Sequence, residues 1–99
     1  MTKVVVHADP DLAELIPGYL ANRARDVDAL RAALGRGDLE AARIIGHSMK
    51  GSGGGYGFDG ITEIGAAIEQ GAKDSDVQAV IDAVSALADY LQGVEVVYD

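Results

Sequence analysis

The sequence predicts an all-α protein: an up-down four-helix bundle, with a short extra helix at the N-terminal end and short β-strands at both termini. Three observations carry this. Apolar residues recur at helical spacing along four stretches, Gly- and Asp-rich breaks separate those stretches, and both ends are β-branched without helical spacing. Joining four amphipathic helices by short loops into a bundle is the simplest way to bury four apolar stripes.

The elements follow in order. Val4-Val5-Val6 reads as a strand that His7 ends. Asp9-Pro10 is a cap followed by a proline at a first helical position, and Pro17-Gly18 is expected to break or kink the short helix that starts there. The next helix carries Leu20, Ala24, Val27, Leu30 and Leu34 on one stripe, with Arg23, Arg25, Asp26, Asp28 and Arg31 on its exposed face. Gly35-Arg36-Gly37 stops it, and Asp38 caps a helix running from Leu39 toward Gly53. A third helix spans about Gly60 to Lys73 with Ile61, Ile64 and Ile68 inward, and Asp74-Ser75-Asp76 makes the turn and cap after it. The fourth places Val77, Val80, Ile81, Val84, Leu87 and Leu91 on one stripe and ends at Gly93. The Val94 to Tyr98 segment is a strand, and a small ribbon between the two ends is expected. With no repeat and no linker, residues 1–99 form one domain.

Composition narrows the function. Sixteen acidic against eight basic residues leave a formal charge of −8, which argues against a nucleic-acid binder needing a basic face. Four Tyr, one Phe and no Trp make a base-stacking platform equally unsuitable. No apolar run approaches the ~18 residues of a membrane span, and no signal peptide is visible. Cysteine is absent, so no thiolate metal site or disulfide is available, and the expected location is the cytoplasm. The initiating Met suggests a free-standing chain.

The chemistry concentrates in the second helix. At about 100° per residue, Arg43, Lys50 and Gly54 fall within about 60° of His47 on one side, and Glu40, Ile44 and Gly51 within about 60° on the other. Ala42, Ile45, Met49, Ser52 and Tyr56 gather near the opposite pole, so Ile45 and Met49 face the core and His47 faces water. Glycine costs a helix about 0.5–1 kcal/mol relative to alanine, so the glycines here must serve packing or close approach. Gly51 and Gly54 clear the surface beside His47, whereas Gly46 and Gly53 lie on the flanks, where they permit close helix packing. An imidazole ordinarily titrates at about 6.5 and is mostly neutral at pH 7, which makes it a competent nucleophile. Lys50, one turn on, can reach a group attached to His47. Arg43 and Lys50 make the surrounding patch basic. His7 lacks such neighbours, and no Glu-x-x-His pattern supports a metal site. Tyr56, Phe58 and Tyr90 read as core or rim packing.

The stretch His47-Ser-Met-Lys50-Gly51-Ser-Gly-Gly-Gly-Tyr-Gly-Phe58 resembles the signature of histidine-containing phosphotransfer (HPt) domains. Ile61, Ile64 and Ile68-Glu69 match that family's downstream pattern, and the similarity extends over residues 9–92. The triple Gly53-Gly54-Gly55, richer than usual, is expected to end the helix early. The resemblance implies a helical bundle in a multistep two-component phosphorelay. In it His47 accepts a phosphoryl group from a receiver-domain aspartyl phosphate and passes it to another receiver. Lys50 contacts the phosphoryl oxygens, and Gly51 leaves room for the receiver. Glu40, Arg43, Ile44 and Gly54 are candidates for partner contact. Such a chain is a carrier and not an autonomous kinase; it has no ATP site or metal of its own, and Mg²⁺ belongs to the receiver. Expected partners are receiver domains and a hybrid histidine kinase, met by a monomer. The alternative is a receiver-binding or scaffold module that sequesters a partner without phosphotransfer.

Overall fold

The structure, a computed structural model, describes residues 3–99. Strand β1 (Val4–Ala8) leads through a 3₁₀ turn (Pro10–Leu12) into helix α1 (Ile16–Gly35). Helix α2 (Leu39–Ser52), a second 3₁₀ turn (Gly54–Tyr56), α3 (Asp59–Lys73), α4 (Val77–Gly93) and strand β2 (Val94–Tyr98) complete the chain. The four expected helices are present, and the expected ribbon joins the terminal strands in parallel, with Val4 opposite Val94 and Ala8 opposite Tyr98.

Short polar side chains start the helices. Asp38 accepts from the Ala41 amide at 3.0 Å and Asp76 from the Ala79 amide at 3.1 Å, so each satisfies a donor that the first helical turn leaves free. The stripes then close on a core whose largest wholly buried side chains include Phe58, Leu30, Met49, Ile61, Ile68 and Leu87. Val6 and Ala8 of β1 join this core, which gives the two-stranded ribbon the packing support an isolated one lacks.

Four expectations are corrected. The extra N-terminal helix is one 3₁₀ turn, and Pro17 does not break it: the proline sits in the first turn of α1, where its missing N–H costs no hydrogen bond. In α1, Ala24 is exposed, while Arg23 and Asp26 are largely covered and paired at 2.8 Å. The Arg23 guanidinium lies 4.5 Å from the centre of the Tyr19 ring, so the α1 stripe turns toward an aromatic cluster that periodicity alone does not reveal. Val77 and Ile81 remain on the surface: Val77 opens the helix, and Ile81 lies about 100° around it from Val80, beside the buried line of Val80, Ala83, Val84 and Leu87. Finally, α2 ends at Ser52, as the run of glycines led one to expect, so a wheel extended to Gly54 and Tyr56 does not describe them.

Candidate functional site

Helix α2 lies against α3 at unusually short range because both present glycine at the crossing. A methyl group on Gly46 would come within 2.8 Å of the Glu69 amide nitrogen and 2.9 Å of the Gly65 carbonyl oxygen. One on Gly65 would come within 2.5 Å of the Lys50 amide nitrogen. Gly53 is equally tight against Thr62, so Gly46 and Gly53 both sit at the helix contact. The far end of α2 is fixed to α1. Ser52 Oγ lies 2.9 Å from the Tyr19 hydroxyl, and Tyr19 stacks on Tyr56 with ring centres 4.3 Å apart. The Thr62 hydroxyl donates to the Lys50 carbonyl at 3.2 Å and accepts from the Gly54 amide at 2.8 Å, which satisfies polar groups at the C-terminal end of α2.

This packing sets His47 over α3. Its side chain is 71% exposed, yet Nδ1 lies 2.7 Å from Oε2 of Glu69, a carboxylate only 7% exposed. The hydrogen bond from His47 holds the Glu69 carboxyl below the usual carboxylate range. Burial opposes this, and Lys50 and Lys73 support it. Ionised, Glu69 can only accept, so Nδ1 of His47 donates, and in the neutral ring Nε2 carries the lone pair. The arrangement offers an exposed imidazole whose neutral tautomer is set by a carboxylate behind it, a carboxylate that can stabilise positive charge on the ring.

Lys50 reaches the other carboxylate oxygen, Nζ to Oε1 at 3.4 Å, with its side chain half exposed. Gly51 opens onto empty space: nothing lies within 4 Å of the position a side chain would take. Ile44, 55% exposed, lies one turn before His47 on the same face. Gly54 lies outside α2, in the 3₁₀ turn, where Asp59 and Thr62 are its nearest neighbours, so it is not an extension of the helical face around His47.

The expectation of a basic patch made by Arg43 and Lys50 needs revision. Arg43 is held by Glu40 through two contacts, one of them Nε to Oε2 at 3.0 Å, and that pair carries no net charge. The local positive charge comes instead from Lys50 and Lys73, which share Glu69.

Sequence reasoning gave neither Glu69 nor Lys73 a role. A signal was available: Ile61, Gly65, Glu69 and Lys73 follow at four-residue steps, which puts a carboxylate on the inward line that begins with Ile61. His7 lies elsewhere, its Nδ1 2.8 Å from the Asp99 carboxylate at the end of the ribbon. Among the described residues no group of three or more His, Asp or Glu side chains is arranged to hold a metal ion.

A family model described as the Hpt domain matches residues 14–96. The chain belongs to the Hpt domain family. Hpt domains are helical bundles that act in histidine phosphotransfer in phosphorelays, where they interact with receiver domains and kinases; they are phosphohistidine carriers and not kinases themselves. Comparison with curated proteins and with solved structures gave no match. No helix of this Hpt domain is long and apolar enough to cross a membrane among the described residues.

Proposed function

We propose that this Hpt domain carries a phosphoryl group on Nε2 of His47. The group is received from the aspartyl phosphate of one receiver domain and delivered to the aspartate of another. The observation that carries this reading is the 2.7 Å contact between His47 Nδ1 and the buried Glu69 carboxylate, which makes Nδ1 the donor and, in the neutral ring, gives Nε2 the lone pair on a largely exposed side chain. In the forward step the Nε2 lone pair forms the N–P bond while the P–O bond to the receiver's carboxylate breaks, and that carboxylate takes the electron pair. The Nδ1 proton stays in place, the ring becomes an imidazolium, and Glu69 balances its charge. The second transfer reverses these events toward a different aspartate.

Lys50 turns from Glu69 to the phosphoryl oxygens, and Gly51 leaves the approaching receiver free of a side chain. Ile44 gives an apolar contact, and the Glu40–Arg43 pair a polar rim, for a transient interface of under about 1,200 Å². The Mg²⁺ that phosphoryl transfer employs sits in the receiver, and the chain works as a monomer in the cytoplasm, where receivers and the kinases that feed them meet.

The test is transfer from a panel of phosphorylated receiver domains to the wild-type chain and to His47→Gln. Acid-labile, base-stable label on the wild type alone is the expected result. Label that survives the substitution overturns the assignment of His47. Binding of a receiver without any transfer favours the sequestering module instead.

A further inference from the structure

Glu69 has two ammonium neighbours, and only Lys50 belongs to the helix that carries His47. The second is Lys73, the last residue of α3 and one turn beyond Glu69. Its Nζ lies 3.9 Å from Oε2, the same oxygen that receives the His47 N–H. An exposed lysine in an i,i+4 pair is ordinarily a minor surface contact. Here the partner is a buried carboxylate that two other groups also use, so Lys73 bears on all of them.

Charge shows how. At rest, with His47 neutral, one carboxylate faces two ammonium groups, and the site carries one positive charge in a chain of net charge −8. The adjacent Arg43–Glu40 pair adds nothing. A phosphoryl group brings nearly two negative charges and turns the ring into a cation, so the loaded site comes close to neutral. Without Lys73 the resting site would have no positive surplus, and the loaded site would hold an uncompensated negative charge.

We propose that Lys73 is a positioning residue for the phosphorylated state. It keeps Glu69 supplied with a counter-charge when Lys50 leaves for the phosphoryl oxygens. This rests on His47 being the phosphoacceptor. Both lysine side chains are 51% exposed and free to turn, but they differ in where they sit. Lys50 is one turn from His47 on its own helix and can follow the phosphoryl group. Lys73 stands at the C-terminal end of α3, where the helix dipole favours a cation, and stays beside Glu69. The Glu69 carboxylate thereby keeps its charge and its hold on the Nδ1 proton in both states.

The experiment uses the whole chain and phosphoramidate, a small donor that loses ammonia as the N–P bond to His47 forms. Steady-state phosphohistidine is read by ³¹P NMR and the His47 Nδ1–H by ¹⁵N-edited NMR, for wild type, Lys73→Gln, Lys73→Arg and His47→Gln. Lys73→Gln is expected to lower occupancy about threefold to tenfold, as one unit charge near a half-exposed site should. The deficit should shrink at high salt. It should come with loss of the Nδ1–H signal in the phosphorylated state only, and Lys73→Arg should restore both. Wild-type occupancy in Lys73→Gln, with His47→Gln unlabelled, overturns the role of Lys73 and leaves the phosphoacceptor standing. A deficit that Lys73→Arg does not repair, accompanied by a lowered melting temperature, makes Lys73 merely structural. No label on the wild type overturns both readings.

Discussion

Gly46 and Gly65 each occupy the space a side chain of the other would need. A methyl on Gly46 would lie 2.9 Å from the Gly65 carbonyl oxygen, and a methyl on Gly65 would lie 2.8 Å from that of Gly46. His47 follows the first glycine directly, and Glu69 lies one turn after the second. The glycine contact therefore sets the height at which imidazole meets carboxylate.

Gly65→Ala should push α2 away from α3, because the obstructing atom is backbone and cannot rotate aside. Overpacking of this kind costs about 1–3 kcal/mol. For a domain of this size that lowers the melting temperature by roughly 5–20 °C. Calorimetry would measure it, and the His47–Glu69 hydrogen bond, followed by NMR, should weaken in the same variant.

Gly51→Ala should behave oppositely. Its position is open, so alanine meets no obstacle and adds up to about 0.5–1 kcal/mol of helix stability. Gly51→Arg should keep the fold and depress transfer from a receiver far more than labelling by phosphoramidate. Comparing the two donors separates docking from chemistry.

Glu69→Gln retains the shape but replaces a charged acceptor with a neutral one, and should slow phosphoryl uptake by about tenfold. Stopped transfer assays with phosphoramidate and a receiver should show the same factor, since the loss lies in the step at Nε2 and not in docking.

The pH dependence has a definite sign. The Glu69 carboxyl is held below its ordinary value, first by the His47 hydrogen bond, so its ionised form favours the folded chain. That contribution is fully present above the ordinary value of 4.5 and disappears as pH falls through the lower folded value. Asp38, held down by the Ala41 amide, and Glu40, held down by Arg43, act in the same direction. Asp26 acts the other way, since burial raises its carboxyl and acid relieves it. Thermal melts of wild type and Glu69→Gln between pH 7 and pH 3 should therefore converge at the acid end as Glu69 is neutralised.

The sequence made half of this site legible, and physics explains which half. His47, Lys50 and Gly51 belong to one helix, so the period of 3.6 residues places them relative to one another without any knowledge of the neighbours. Glu69 and Lys73 reach His47 only through the register of α3 on α2, which backbone approach at Gly46 and Gly65 decides and periodicity does not. The same holds for Arg23: its charge marks it as exposed, but the Tyr19 ring and the Ser52 hydroxyl, on two different helices, draw it inward. The terminal strands were legible from their β-branched residues, whereas their parallel direction depends on where α1 begins and α4 ends.

That parallel ribbon has a consequence for the order of folding. Val4 pairs with Val94, about as distant a pairing as a chain of 99 residues allows, and the entropy of closing so long a loop makes such contacts late. His47 and Glu69 are 22 positions apart in an antiparallel helix pair, a local contact that can form early. Contact order therefore favours docking of α2 on α3 before the terminal strands meet, so the His47–Glu69 pair is assembled first and the ribbon fastens the finished bundle afterwards.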